Sequence, residues 1–105
     1  NMIITGGEHV YPSEVEEIIS RCPKVFDVAV IGVSDDVWGE AVKAVVILKE
    51  GETATQEEII NWCRGKMAGY KKPKSVDFIK PEEMPRSATG KIIHRKLRER
   101  YSTPL

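Results

Sequence analysis

Residues 25–48 read VFDVAVIGVSDDVWGEAVKAVVIL, and this stretch decides the fold. Residues 25–33 are rich in Val, Ile and Phe, which predicts a buried strand. Residues 40–48 alternate in the manner of a second strand, and the segment 32–39 between them carries the glycines and aspartates of a loop. We therefore expect two antiparallel strands, joined by that loop, at the centre of a small sheet.

We expect one helix before this pair of strands in the chain and further helices after it. Pro12, the acidic residues after it and an apolar stripe at i, i+3, i+4 predict a helix over about 13–21. Thr55 and Glu58 match a capping box, so a second helix begins there, and we expect it to end near Gly69. The remaining predicted elements are a hairpin before residue 13, a strand over 75–79, a turn over 81–84, a basic helix over 92–101 and a frayed tail over 102–105. This order predicts an α+β domain, with a small mixed sheet of about three main strands plus the N-terminal hairpin, flanked by about three helices.

Composition excludes several classes of protein. The chain has 105 residues, with 16 Lys+Arg against 16 Asp+Glu, so binding of nucleic acid or membrane through bulk charge is not expected. No apolar run is long enough to span a bilayer, and no secretory signal is expected at the start. Cys22 and Cys63 are far apart and match no metal or disulfide pattern, so we expect no metal site and a reduced, cytoplasmic protein.

The chain is also short for an enzyme. A chain of 105 residues buries only a modest core, and we do not expect it to hold a nucleotide pocket, an acyl pocket and a catalytic apparatus together. The start, Asn1-Met2-Ile3-Ile4, reads like sequence from the middle of a chain. We therefore expect a part of a larger protein.

Three loops carry glycine, lysine or both. Residues 87–91, SATGK, lack the first glycine of a phosphate loop and have Ile92 where Ser or Thr is required, so the segment is not a Walker motif. It reads as a flexible arm that ends in the Lys91 ammonium, which suits a phosphate or carboxylate oxygen. A solvated lysine at the start of a helix is the alternative.

The second and third loops offer cations, rings and bare backbone. Lys71-Lys72-Pro73-Lys74 follows Tyr70, and three cations beside a ring suit a ligand with several phosphates, although a solvated basic turn has the same pattern. Gly6-Gly7 allows either a ligand against bare backbone or a simple turn. Trp38 is either a core anchor or an exposed stacking ring.

Other polar residues carry simpler interpretations. Asp35-Asp36 matches no calcium loop, and a tight loop is the better interpretation. His94 is interpreted as a hydrogen-bonded surface residue. The basic last helix suggests a small nucleic-acid-binding module as a function of another class, but a solvated face is favoured because no aromatic residues interleave it.

Taken together, three motifs resemble those of one enzyme superfamily. Residues 2–16, MIITGGEHVYPSEVE, resemble the opening of the C-terminal domain of the adenylate-forming enzymes, which include acyl-CoA synthetases, adenylation domains of peptide synthetases and luciferases. Residues 85–92, PRSATGKI, resemble their last core motif, P-R-[TS]-x-[TS]-G-K-[IL], and residues 32–40, GVSDDVWGE, match between them. The resemblance covers nearly the whole chain, so residues 1–101 are interpreted as the mobile C-terminal domain, with the large N-terminal domain outside the chain.

The resemblance implies a two-step ligase. ATP and a carboxylate give an acyl-adenylate and pyrophosphate, and a thiol then displaces AMP to give a thioester. The C-terminal domain rotates between the two steps. Lys91 matches the catalytic lysine of adenylation, and the Gly6-Gly7-Glu8 loop matches the segment that lines the pantetheine tunnel in the second step. By itself the domain is expected to be inactive.

The resemblance also favours coenzyme A as the thiol. Lys72 and Lys74 match basic positions that hold the CoA nucleotide, and Tyr70 and Trp38 match aromatic positions near it. The carboxylate is expected to be a fatty or aryl acid, Mg²⁺ to be bound with ATP by the N-terminal domain, and Asn1 to stand at the hinge, where many members have an acidic residue. An adenylation domain that loads a carrier protein is the alternative.

Overall fold

The computed structural model describes residues 2–102. Asn1, the expected hinge, and 103–105 of the expected tail lie outside the described residues. The strands are β1 (Ile3–Thr5), β2 (Glu8–Val10), β3 (Val25–Asp35), β4 (Gly39–Leu48) and β5 (Ser75–Phe78), and the α-helices are α1 (Pro12–Ser20), α2 (Gln56–Cys63) and α3 (His94–Ser102). Short 3₁₀ helices span Gly69–Lys71 and Pro81–Glu83.

The five strands form one mixed sheet around β4. β3 pairs antiparallel with one edge of β4 over the whole length of the two strands. The other edge of β4 is shared: β1 meets its start in antiparallel orientation, and β5 lies parallel to its middle. β2 closes the N-terminal hairpin against β1. The predicted mixed sheet, the central antiparallel pair and the N-terminal hairpin are confirmed.

Helices cover both faces of the sheet, which explains why the strands β3 and β4 are apolar almost throughout. On one face α1 and α2 pack over a core that includes Val15, Ile19, Ile59 and Cys63. On the other face α3 packs through Leu97. Cys22 and Cys63 are free thiols. Within residues 2–102, no helix is both long and apolar enough to cross a bilayer.

Several predicted boundaries were wrong for local reasons. β3 continues to Asp35, and β4 begins at Gly39, so the connecting loop is only three residues long rather than 32–39. α2 ends at Cys63 instead of near Gly69, because Arg64 is already extended, with a ψ of 134°. Gly65, with a positive φ of 74°, completes a turn in which the Lys66 amide donates to the Cys63 carbonyl at 3.1 Å. The last helix begins at His94 and includes Ser102, which was placed in the tail.

Candidate functional site

Lys91 stands at the end of a hydrogen-bonded hairpin turn. The Ser87 amide donates to the Lys91 carbonyl at 2.8 Å, and the Gly90 amide donates to the Ser87 carbonyl at 2.9 Å. Gly90 has a φ of 89°, as expected for the glycine that follows the turn in a three-residue hairpin loop. The Ser87 hydroxyl accepts from the Lys91 amide at 3.3 Å and lies 3.0 Å from the Thr89 hydroxyl. The expectation of a flexible arm was therefore wrong, because the backbone around Lys91 is paired with itself.

The hairpin is tied to the outer edge of β3. The Arg86 guanidinium donates to the Gly90 carbonyl at 3.1 Å and to the Asp27 carboxylate at 2.6 Å. Among the described residues, the Lys91 side chain has no hydrogen-bond or ion-pair partner, and it is exposed. The ammonium thus projects from a fixed backbone without being neutralised by the domain itself.

A histidine–glutamate pair lies beside the hairpin. His94 Nε2 lies 2.6 Å from Glu16 Oε2, and the same oxygen accepts the Val30 amide at 2.9 Å on the edge of β3 that faces away from β4. The pair therefore joins α1 and α3, which lie on opposite faces of the sheet. The Glu16 hydrogen bond raises the pKa of His94 above 6.5, although partial burial opposes the shift. An open groove of about 580 Å³ runs past this pair to Lys91.

Gly6, Trp38 and Lys74 form a cluster near the start of β4, which begins directly after Trp38. The Gly6 amide donates to the Trp38 carbonyl at 2.8 Å, and a Cβ built on Gly6 would lie only 2.8 Å from Trp38 Cε3. The Trp38 ring therefore occupies the space that a side chain at position 6 would need. Lys74 Nζ lies 5.3 Å from the Trp38 ring centroid. Trp38 is 49% exposed, so the interpretation as a core anchor is wrong, while stacking by the exposed ring stays a prediction.

The local hydrogen bonds explain why this cluster forms. One Asp35 oxygen accepts the amides of Val37 and Trp38, both at 2.9 Å, which closes the loop between β3 and β4. The interpretation of Asp35 as part of a tight loop is confirmed. Glu40 accepts the Ile4 amide at 2.9 Å and so anchors β1, the strand that ends directly before Gly6. Gly32 leaves the space for that carboxylate, since a Cβ there would lie 2.6 Å from Glu40 Oε2.

Among residues 2–102, no hydrogen bond, ion pair or ring contact joins the other predicted binding residues to Trp38. Tyr70 is exposed, and Lys71 beside it is bound to Glu14 of α1 at 2.6 Å. Lys72 is half-buried and follows the 3₁₀ helix, while Glu8 is exposed at the start of β2. The basic segment is therefore held against α1 by one of its lysines. Within residues 2–102, no group of three or more His, Cys, Asp or Glu is placed to hold a metal ion.

The two clusters lie at opposite ends of the β3–β4 pair. The Lys91 hairpin is tied to Asp27 near the start of β3, whereas Trp38 follows the end of the same strand at Asp35. At about 3.3 Å per residue, the eight steps between Asp27 and Asp35 correspond to about 26 Å. Sequence reasoning missed Asp27, Arg86 and Glu40 as positioning residues, because their partners are 59 and 36 residues away and only the strand pairing brings them together.

Comparisons with known proteins agree with this architecture. Residues 14–91 match the family model described as the AMP-binding enzyme C-terminal domain. The chain is 47% identical over 102 residues to the long-chain-fatty-acid–CoA ligase FadD13 of Mycobacterium tuberculosis, covering 97% of the chain and 20% of that protein. It is 45% identical over 105 residues to the mitochondrial medium-chain acyl-CoA ligase ACSF2 of Danio rerio, covering 100% of the chain and 17% of that protein.

Solved structures show the same fold. Apo MatB from Rhodopseudomonas palustris superposes with a TM-score of 0.89 at 40% identity, over 95% of the chain and 20% of that structure. The fatty acyl CoA synthetase of Mycobacterium tuberculosis superposes with a TM-score of 0.87 at 46% identity, over 96% of the chain and 20% of that structure. The chain thus spans about a fifth of the length of these relatives, and it belongs to the AMP-binding enzyme C-terminal domain family.

Proposed function

We propose that this domain serves an AMP-forming acid–thiol ligase, which converts a carboxylate, ATP and CoA to acyl-CoA, AMP and pyrophosphate. One observation carries the proposal. This domain has two separate candidate binding surfaces, one at each end of the β3–β4 pair, on a fold that belongs to this family. One surface presents the Lys91 ammonium, which has no partner among residues 2–102, and the other presents Lys74 and the Trp38 ring that packs against Gly6.

In the first step Lys91 acts as the catalytic residue. Negative charge builds on the carboxylate and phosphate oxygens as pyrophosphate leaves, and a fixed ammonium stabilises that charge where it develops. The geometry supports this because the Lys91 backbone is held by the hairpin while its side chain is free of partners within the described part of the chain. An ammonium already paired with a carboxylate of the domain would be much less effective.

In the second step the opposite surface receives the thiol. Gly6, Gly7 and Glu8 line the path of the pantetheine arm. The Trp38 ring occupies the space beside Gly6, whereas Gly7, with no side chain and nothing within 4 Å of its Cβ position, leaves the backbone open to the arm. Lys72 and Lys74 bind the phosphates of the CoA nucleotide, and Trp38 and Tyr70 offer rings for its base. The cation–π contact between Lys74 and Trp38 orders the two groups before the nucleotide arrives.

The remaining parts of the reaction belong to the N-terminal domain, the expected partner of this one. That domain would bind the acid, ATP and Mg²⁺, so we expect the isolated C-terminal domain to be inactive. A fatty acid is the favoured substrate class, because FadD13 and ACSF2 are named as long-chain and medium-chain acyl-CoA ligases. The two free thiols fit a reducing compartment, and we assign the enzyme to the cytoplasm.

The test measures the two steps separately in the complete enzyme. Lys91→Ala should slow adenylate formation, measured by pyrophosphate exchange, by at least about 100-fold. The rate of thioester formation from a pre-made acyl-adenylate should stay within about twofold of the wild-type rate. Lys49→Ala is the matched control, because Lys49 is an exposed lysine whose side chain also lacks a partner among residues 2–102. Equal losses in both steps would refute the assignment of surfaces.

The thiol is tested on the second surface. Lys74→Ala should raise the KM for CoA, whereas Lys66→Ala should not, although Lys66 lies 4.0 Å from the Trp62 ring centroid and so makes the same kind of contact elsewhere. If the wild-type enzyme transfers the acyl group to a carrier protein and never to free CoA, the carrier-protein alternative replaces the CoA proposal.

A further inference from the structure

The arginine that precedes the lysine hairpin contacts two separate parts of the domain. Arg86 Nη1 donates to the Gly90 carbonyl at 3.1 Å, and Nη2 donates to Asp27 Oδ2 at 2.6 Å. One guanidinium thus connects the residue immediately before Lys91 to β3. The hydrogen bonds within the hairpin fix its internal shape, but they do not fix its direction relative to the sheet.

The acceptor on β3 is itself oriented. Asp27 follows an irregularity in the pairing of β3 with β4, between Val25 and Asp27, which leaves Phe26 64% exposed. The second carboxylate oxygen of Asp27 accepts the Val28 amide at 2.9 Å. Both side chains of the Arg86–Asp27 pair are one-third exposed, so the pair is partly shielded from solvent. A short, charge-assisted contact between two oriented groups fixes an angle as well as a distance.

We infer that Arg86 is the positioning residue for Lys91: by bridging Gly90 and Asp27 it aims the ammonium during adenylation. This inference rests on the proposed function of Lys91 and adds the residues that direct it. Catalysis is sensitive to such placement, since a displacement of about 1 Å costs on the order of 100-fold in rate. Lysine at position 86 would keep the charge but lose the planar fork that reaches both acceptors.

The experiment combines single and double variants of the complete enzyme. Arg86→Ala should lower kcat of adenylation by about 10- to 100-fold with little change in the KM for ATP, and should leave thioester formation within about twofold. Arg86→Lys should recover only part of the loss, and Asp27→Asn should fall between wild type and Arg86→Ala. Arg64→Ala is the matched control, because among residues 2–102 the exposed Arg64 side chain bonds only Asn61, three residues earlier.

The double variant separates positioning from a general loss of structure. In a Lys91→Ala background, Arg86→Ala should cause no further loss of adenylation if Arg86 acts through Lys91. A further loss of the same factor, or wild-type adenylation in Arg86→Ala, would overturn the inference. Amide hydrogen exchange across residues 86–93 gives a readout that does not depend on activity, and we expect faster exchange at Gly90 and Lys91 in Arg86→Ala.

These readouts also separate the two proposals. If Lys91→Ala adenylates normally, the proposed function of Lys91 fails, and hydrogen exchange alone then decides whether Arg86 holds the hairpin. Unchanged exchange at residues 86–93 would overturn the positioning inference in either case. If Arg86→Ala unfolds, Asp27→Asn provides the same comparison with the shape of the side chain retained.

Discussion

Gly6→Ala and Gly7→Ala form a matched pair that tests the contact between Trp38 and the glycine loop. Both glycines have positive φ, 57° and 82°, so alanine costs about 1–2 kcal/mol of folding free energy at either position. Only at Gly6 does the new Cβ meet a neighbour, Trp38 Cε3 at 2.8 Å, whereas nothing lies within 4 Å at Gly7. Carbon atoms prefer a separation of about 3.5–4.0 Å, so the ring must retreat by about 0.7–1.2 Å.

That retreat has a further effect on Lys74. Its ammonium lies 5.3 Å from the ring centroid, close to the limit of about 6 Å for a cation–π contact worth about 0.5–1 kcal/mol at an exposed site. Gly6→Ala should therefore be less stable than Gly7→Ala by up to about 1 kcal/mol. We expect Trp38 to stack on the CoA base, and the low end of the free energy of such a stack is about 1 kcal/mol. Losing that free energy would raise the KM for CoA about fivefold.

The assay is the CoA dependence of thioester formation, with urea unfolding of each variant as the stability measurement. In a Trp38→Ala background the clash is absent, so Gly6→Ala and Gly7→Ala should become alike in both measurements. Equal KM values in the original background would refute the contribution of the ring. A larger increase for Gly7→Ala would show that bare backbone, and not Trp38, meets the thiol substrate.

Three further predictions concern stability and reactivity. The pKa of His94 is raised by Glu16, so the stability that the pair adds is complete below pH 6.5 and is lost as pH rises through the higher folded pKa. His94→Gln should therefore lower the unfolding free energy more at pH 5.5 than at pH 9, and a pH-independent difference would contradict this. Thr55→Ala should cost about 1 kcal/mol in urea unfolding, because both bonds of the capping box are present, and an unchanged midpoint would contradict it. Burial raises the pKa of the Cys63 thiol to about 11, so thiol reagents at pH 8 should modify Cys22 first, as peptide mass mapping would show.

The main strands and the starts of the first two helices were predictable from sequence, because the residues that specify them are close together in the chain. The apolar residues of β3 and β4, the first-turn Pro12 and the capping box at Thr55 each act within a few residues, and the elements that they predict are present. The end of α2 was missed because a helix-like apolar pattern continues past Gly65. Met67 packs against the same core as α2, but it does so from the segment after the helix has ended.

The candidate site was predictable only in part, since its geometry depends on contacts between distant residues. The motif around Lys91 predicts that lysine as a site residue, but the shape and direction of its hairpin depend on Gly90, with a φ of 89°, and on Arg86, whose partner Asp27 is 59 residues away. Likewise, glycine at position 6 suggests a turn, and only the fold shows that the space is occupied by Trp38. Pairing partners of this kind leave no pattern in one sequence.

The rigid pair of strands gives a physical reason for the rotation that the proposed function requires. The hairpin that carries Lys91 is bound through Arg86 to the Asp27 end of β3, and Trp38 follows the Asp35 end, about 26 Å away by strand length. β3 and β4 are paired along this whole distance, so the two surfaces cannot approach each other by bending the sheet. A lysine side chain is far shorter than the gap. If the proposed function is right, a single active centre on the N-terminal domain would meet both surfaces only in succession, and we expect the small domain to turn as one body between adenylation and thioester formation.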